Sequence, residues 1–330
     1  LNKRVFAAYN GSPKERSLPD VCRDLYARQV EVWPDLRLAQ EALQAARRRE
    51  IPDGGFSFTL QYNPGRLGSV EARVDAASIA KRPCFLCENH LPADQQAVLY
   101  RRSYVVLCNP FPIFIPHFTI AHREHLPQSI GSNIGMFLDL ARDFSPAFSV
   151  FYNGPRCGAS APDHLHFQGC PSGAIPIERE GRKEAGALIK AIRGVSVGAA
   201  CRGSRPFLLL ESGDSEGMAS VLSGVMRILK RLTGDGEEAM VNIIASFAKG
   251  LWRVFVFPRR KHRPDAFFRA GDDRRAITPG AVEMGGLVIA TSERDYAMLN
   301  KQELTDIFTE VSADGKIIQG VVDELLHQVG

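Results

Sequence analysis

No stretch of the sequence reaches the roughly 18 uninterrupted apolar residues that a membrane-spanning helix requires. A chain that stays out of the bilayer is therefore expected. The opening residues, Leu1 to Phe6, lack the apolar core of an export signal. Neither sign of charge dominates: 41 Lys and Arg against 37 Asp and Glu leave +4. That is too little to argue for a nucleic-acid partner, but it suits a small polyanion held by a few local cations. A disulfide framework is also missing. The seven cysteines (Cys22, Cys84, Cys87, Cys108, Cys157, Cys170 and Cys201) are odd in number and irregularly spaced. With no export signal, a reducing, cytoplasmic location is expected. What remains is an ordinary globular composition, 45% hydrophobic and 24% charged. At 330 residues the chain has room for one large domain or two moderate ones.

Periodicity predicts alternating helices and strands. Leu18 to Arg49 reads as helix, interrupted near Trp33-Pro34, where Pro disfavours a helical residue before it. Its basic end, Arg47-Arg48-Arg49, reads as a solvated helix terminus offsetting the macrodipole. Gly54-Gly55 opens a strand over Phe56 to Tyr62. Further strands are expected over Ala97 to Tyr100, Tyr104 to Cys108, Phe114 to Ala121, Phe148 to Tyr152 and His164 to Gln168. Helices are expected over Ile134 to Phe144 and Glu178 to Ile192. Gly194 to Ser204, rich in small residues, reads as a linker. Beyond it come a strand at Phe207 to Leu210, a helix at Gly217 to Leu232, and a hairpin of Val241 to Phe247 with Trp252 to Phe257. Leu287 to Ala290 reads as strand and Gln302 to Val329 as helix broken near Gly315. A strand running into a basic turn that ends in His occurs twice, at His117 to His125 and at Arg253 to His262, as a duplicated α+β unit would produce.

The run Asp163-His164-Leu165-His166-Phe167-Gln168 carries the clearest chemistry. Strand side chains alternate, so His164, His166 and Gln168 share one face and Leu165 and Phe167 the other. The apolar pair can enter a core while three polar groups line a cleft. The competing reading is a surface strand with fortuitous spacing. Just upstream, Asn153-Gly154-Pro155-Arg156-Cys157-Gly158-Ala159-Ser160 is a small-residue turn that lets backbone N–H groups approach an anion; a plain turn is the alternative. An imidazole beside such a loop suits nucleophilic attack on phosphorus through a covalent intermediate. Gln168 is placed to donate to a non-bridging oxygen.

Cys84-Phe85-Leu86-Cys87 spaces two thiols for a single metal ion, and zinc takes tetrahedral Cys and His ligands. Two buried cysteines or a redox pair are the alternatives. No second such pair exists, so further ligands would be histidines. Of the eight His, five fall between His117 and His166.

These residues resemble a known family. His164-Leu165-His166-Phe167-Gln168 resembles the His-x-His-x-Gln motif of the transferase branch of the histidine-triad superfamily. That branch contains galactose-1-phosphate uridylyltransferases, diadenosine tetraphosphate phosphorylases and GDP-hexose phosphorylases. The Leu and Phe in the gaps resemble the last group most. The resemblance covers Phe56 to Gln168. It implies that His166 is the nucleophile, that His164 is a metal ligand, and that Cys84, Cys87 and His125 complete a structural zinc site, with His122 competing for the third place. It implies nucleotide or phosphate contacts from Asn153, Gly158 and Ser160, from Asn109 at a strand end near the nucleoside, and from Arg66 in the segment Asn63-Pro64-Gly65-Arg66. For Arg66 a solvated loop cation is the alternative.

The expected fold class is α+β, in two histidine-triad-like halves, each an antiparallel sheet with flanking helices. Residues 1–198 form the catalytic half and 199–330 a degenerate second half. The expected activity is ping-pong nucleotidyl transfer from a nucleoside diphosphate sugar or dinucleoside polyphosphate to phosphate or a sugar phosphate, in a monomer or homodimer. The rivals are a hydrolase using the same intermediate and a non-catalytic, zinc-stapled nucleotide-binding protein.

Overall fold

The computed structural model describes residues 4–12, 14–53, 56–185, 189–234 and 236–327, with backbone only at 189–191. The first half holds β1 (Val5–Tyr9), α1 (Leu18–Val32), α2 (Pro34–Gln44), β2 (Arg48–Asp53) and β3 (Phe56–Tyr62). Two short helices, α3 (Leu67–Val70) and α4 (Ala76–Ala80), lead to β4 (Ala97–Tyr100), β5 (Tyr104–Cys108) and β6 (Phe118–His122). Then come α5 (Ile134–Asp143), β7 (Phe148–Asn153), β8 (His166–Pro171) and α6 (Ile177–Glu184). The second half holds β9 (Ile189–Ile192), β10 (Val195–Ala200), β11 (Phe207–Ser212), α7 (Ser215–Thr233), β12 (Val241–Ala248) and β13 (Leu251–Pro258). It ends with α8 (Ala281–Met284), β14 (Leu287–Ala290), α9 (Glu293–Met298), α10 (Lys301–Val311) and α11 (Gly315–His327).

Local chemistry sets the helix ends. Ser17 accepts the Asp20 N–H at 3.3 Å and caps α1. Pro34 sits at the start of α2, where its missing N–H costs nothing. Asp214 caps α7 by accepting from the N–H groups of Glu216 and Gly217, and Gly234, at φ +66°, ends it in the left-handed conformation. Among the described residues no helix is long and apolar enough to cross a membrane.

Eleven strands form one sheet in the order β1-β4-β5-β6-β8-β7-β12-β13-β11-β10-β9. The order reads the same outward from the β7/β12 junction: β8 matches β13, β6 matches β11, β5 matches β10 and β4 matches β9. One helix fills the corresponding place in each half, α5 between β6 and β7 and α7 between β11 and β12. The first half of this sheet is not purely antiparallel, because β1 joins β4 in parallel, whereas β9 to β13 pair antiparallel throughout. A second sheet, β14-β3-β2, combines strands of both halves, with β14 parallel to β3.

Side-chain alternation buries both faces of the long sheet. Val150, Tyr152, Leu165, Phe167, Ile243, Val254 and Val256 enter a core shared with α1, α5, α7 and α11. Phe151, Phe207, Leu209, Ile244, Phe255 and Phe257 enter a second core under the three-stranded sheet. Val105, Leu107 and Ala121 pack on the Cys84–Leu91 segment. The site sits on this second face, between the two smaller cores.

Several expectations are corrected. Arg48 and Arg49 begin β2 rather than ending a helix; they pair with Gln61 and Leu60 in an edge ladder that a charge pattern does not reveal. The strand at the end of the Phe114 to Ala121 run starts only at Phe118, after a Pro-rich loop. His164 and Leu165 precede β8 rather than opening it. Glu178 to Ile192 is helix only to Glu184, and its end is β9. Gly194 to Ser204 contains β10, whose small residues fit a strand paired on both sides, so the boundary drawn at 198/199 falls inside that strand. The repeat of His117–His125 in Arg253–His262 joins β6 to β13, which are not counterparts in the sheet order. Gly54-Gly55, read as opening β3, and Val329, read as ending the last helix, lie outside the described residues.

The fully buried Arg259 clasps the second half. It donates to Asn242 Oδ1 (2.5 Å) and to the carbonyls of Pro279 (2.7 Å), Val311 (3.1 Å), Lys261 (3.1 Å) and His262 (3.2 Å). Arg259→Ala strands several buried acceptors. It is expected to destabilise the protein by about 2–4 kcal/mol, read as a lower denaturant midpoint.

Candidate functional site

β8 enters the sheet between β6 and β7, with Thr119 and Phe151 flanking Gln168. His166 and Gln168 face a cavity of about 800 Å³, within the size range of small-ligand pockets. Leu165 and Phe167 face the opposite core. His166 is 4% exposed. Its Nδ1 lies 2.8 Å from the carbonyl oxygen of His164. A carbonyl only accepts, so Nδ1 carries the proton and Nε2 keeps its lone pair. Among the described residues nothing hydrogen-bonds to that Nε2. Burial, the largest effect on this ring, pushes its pKa down to about 4, so the imidazole is neutral at pH 7.

Gln128 holds the His166 backbone from both sides. Its Oε1 accepts from the His166 N–H at 2.8 Å, and its Nε2 donates to the carbonyls of His166 (3.1 Å) and Asn153 (2.8 Å). Gln168 is held by His117. The His117 Nδ1 accepts from the Ile113 N–H at 3.2 Å, so its Nε2 donates to Gln168 Oε1 at 2.9 Å. The Gln168 amide N–H groups are thereby left for the cavity. Burial lowers the His117 pKa to about 3, which keeps this ring neutral and its donor assignment fixed.

The loop between β7 and β8 is shaped by contact with the second half. Gly158 has φ +91°, and a Cβ there would lie 2.8 Å from Gly280 Cα, so only glycine fits. Asn153 Oδ1 accepts from the Ala281 N–H at 2.7 Å and from Asn242 Nδ2 at 2.9 Å, leaving only its own amide N–H groups for a ligand. Ser160 lines the cavity, and its carbonyl accepts from Arg82 Nη2 at 3.1 Å. Asn109 sits at the rim, bonded to Thr119 Oγ1 (3.0 Å) and to the Phe111 N–H (2.9 Å). Arg66 also lines the cavity. Its Nη1 donates to the Phe111 carbonyl at 2.6 Å, while its buried Nε has no partner. It is thus a cavity-lining cation with a donor to spare.

Cys84, Cys87, His125 and His164 come together beside this cavity, with all four donor atoms within 4.8 Å of one another. The Sγ–Nδ1 separations are 3.4 Å (Cys84–His164), 3.2 Å (Cys87–His125) and 3.6 Å (Cys87–His164). Tetrahedral zinc with ordinary Zn–S and Zn–N bonds sets these edges near about 3.5 Å, so the donor set fits that ion. The His164 Nε2 donates to the His122 carbonyl at 2.7 Å, which leaves Nδ1 as the ligand atom. His122 itself stays outside, its ring nitrogen occupied by the Glu124 backbone. Four protein ligands leave no open position, so such an ion would brace the start of β8 rather than meet a substrate.

Four residues belong to this architecture in roles that sequence patterns did not assign: His117, counted there only among the candidate metal ligands, Gln128, Arg82 and Glu283. The first three act through hydrogen bonds between segments distant in sequence. Glu283 reaches the cavity from the second half, and no motif surrounds it.

Residues 25–171 match the model of a family described as a domain of unknown function, DUF4922. No curated protein matches the chain. The solved structure of yeast Ap4A phosphorylase Apa2 is similar in fold, with 14% identity, 90% of this chain and 95% of that chain covered, and a TM-score of 0.56. The same yeast enzyme in complex with AMP gives 14% identity, 87% and 96% coverage and a TM-score of 0.53. Its complex with Ap4A gives 13% identity, 88% and 98% coverage and a TM-score of 0.53. The chain therefore shares the overall fold of that yeast enzyme over most of its length.

Cys84→Ser is expected to lower bound zinc from about one ion per chain and to lower the melting temperature with it. Elemental analysis of purified wild type that finds no zinc would count against the site.

Proposed function

We propose that this chain is a nucleotidyltransferase of the phosphorylase type, working through a nucleotidyl–His166 intermediate. The observation that carries this reading is the hydrogen bond from His166 Nδ1 to the His164 carbonyl, which leaves a neutral, unshared Nε2 facing the cavity. That nitrogen attacks the α-phosphorus of a nucleoside diphosphate sugar or dinucleoside polyphosphate. The P–N bond forms as the P–O bond to the leaving group breaks, and the leaving oxygen takes the electron pair. The oxygen of phosphate or a sugar phosphate then attacks the same phosphorus, and the P–N electrons return to Nε2. Nδ1 keeps its proton throughout, and the His164 carbonyl stabilises the positive charge the ring acquires on phosphorylation.

The Gln168 amide, turned toward the cavity by His117, is placed to donate to a non-bridging oxygen as charge accumulates. Backbone N–H groups around Gly158 and Ser160, with Arg66, supply further donors to the phosphates. Asn109 and Asn153 border the nucleoside and phosphate positions. The fold likeness to a phosphorylase of a dinucleoside polyphosphate supports the reaction class. The two-half division belongs to the same reading. The first half carries the nucleophile loop, Gly154 to Leu165. At the equivalent place the second half has the two-residue turn Lys249-Gly250, which leaves no room for a site.

Incubation with α-labelled nucleoside diphosphate sugars and dinucleoside polyphosphates is expected to leave acid-labile, base-stable label on the protein, the signature of a phosphoramidate. His166→Ala is expected to abolish both the label and the turnover. Undiminished turnover in that variant would overturn the mechanism.

A further inference from the structure

The turn between β9 and β10 holds a residue that its backbone does not favour. Ile192 pairs with Val195, so Arg193-Gly194 closes a two-residue hairpin, at φ +49° and +75°. Both positions lie in the left-handed region, where Asn, Asp or Gly is the easy choice for the first. Nothing in that conformation calls for arginine, so the reason for it lies in the side chain. The turn is nevertheless fixed from two sides. Ser212 Oγ donates to the Gly194 carbonyl at 2.9 Å. Gly217 of α7 lies so close that a Cβ there would come within 2.6 Å of the Arg193 carbonyl oxygen.

The Arg193 side chain reaches over α7, and its Nη1 donates to Ser220 Oγ at 3.2 Å. Ser220, Gly224 and Arg227 follow one another along one face of that helix. With Arg193 they border a cavity of about 230 Å³. Gly224 keeps it open: a Cβ there would already lie 3.5 Å from Leu325 Cδ2 and 3.7 Å from Arg227 Nη2. The floor is Ile192, Val221 and Leu325, which belong to the large core. This cavity is therefore on the face of the long sheet opposite His166.

Its charge is unbalanced. Two guanidiniums border it, and among the described residues no Asp or Glu does. On α11, which supplies Leu325, Glu324 pairs with Arg231 and Asp323 accepts from Gln319. Among the described residues Arg227 has no hydrogen-bond or ion-pair partner. Ser220 accepts from Arg193, and its own hydroxyl proton has no acceptor among them. Two like charges at one small cavity repel unless an anion lies between them. Guanidinium forks match the oxygens of a phosphate two at a time. The volume falls below the roughly 300 Å³ at which sites for drug-sized ligands begin. It suits a phosphoryl group rather than a whole nucleotide.

We infer that Arg193, Arg227 and Ser220 form a second anion site, which takes inorganic phosphate or the phosphate monoester of a larger ligand on the side of the sheet away from His166.

Phosphate titration of the full chain, labelled with ¹⁵N and followed by NMR at the Nε–Hε groups of Arg193 and Arg227, tests the site. Arg193→Ala and Arg227→Ala assign the two signals, and both side chains are exposed, so neither substitution opens the core. In wild type the signals are expected to shift together with one half-saturation concentration. In each variant the remaining signal is expected to need about tenfold more phosphate. Arg66→Ala is expected to leave both curves unchanged, because Arg66 lines the other cavity. The inference is overturned if no saturable shift appears, if sodium chloride at matched ionic strength shifts the signals equally, or if each arginine titrates without regard to the other. A parallel titration with glycerol 3-phosphate separates the two sources. Tighter binding than phosphate assigns the site to a phosphorylated ligand, and weaker binding assigns it to the free ion.

Discussion

The His166 imidazole has one nitrogen bound to the carbonyl of His164 and the other open to the cavity, and the chemistry depends on that asymmetry. The bond is only as well placed as His164. The His164 ring lies among the Cys84 and Cys87 thiols on one side and donates to the His122 carbonyl on the other. A metal held by Cys84, Cys87, His125 and His164 would therefore act on the proposed nucleophile, His166, at one remove, by fixing the peptide that sets its tautomer. Gln128 completes the arrangement by holding both backbone groups of His166 itself.

The rest of the molecule keeps this short stretch of backbone in place. Leu165 and Phe167 are buried in the large core, so β8 cannot slip by one residue without exposing both and turning His166 and Gln168 inward. The second half has only the tight turn Lys249-Gly250 between β12 and β13, yet it still shapes the site. Asn242 and Ala281 consume the Asn153 carbonyl oxygen, Gly280 presses on Gly158, and Glu283 enters the cavity. The chain before α6 thus carries His166, and the chain after it contributes part of the wall around it.

Much of this was legible in the sequence, for identifiable reasons. The alternation of His166 and Gln168 against Leu165 and Phe167 and the Cys84/Cys87 spacing are local patterns tied to period-two geometry and metal coordination, whereas His164 lies before β8 and turns to the thiols rather than to the cavity face that alternation predicts for it. Runs such as Tyr104 to Cys108 and Leu287 to Ala290 were delimited correctly because both ends carry turn residues. The failures share a cause as well. Arg48-Arg49, Ile189–Ile192 and Val195–Ala200 are strands because of the neighbours they pair with, and edge or small-residue strands carry little signal of their own. The choice of His125 over His122 rests on which ring reaches the thiols, Gln128 and His117 act on β8 from tens of residues away, and Glu283 enters the cavity from the far half of the chain.

The stereochemical course at phosphorus tests the central claim most directly. A donor carrying a chiral α-thiophosphate is converted to product and the configuration of that product is assigned. Two successive in-line displacements, the first by His166 and the second by the acceptor, predict overall retention. Overall inversion would mean that the acceptor attacks the donor directly, and it would contradict the covalent role assigned to His166.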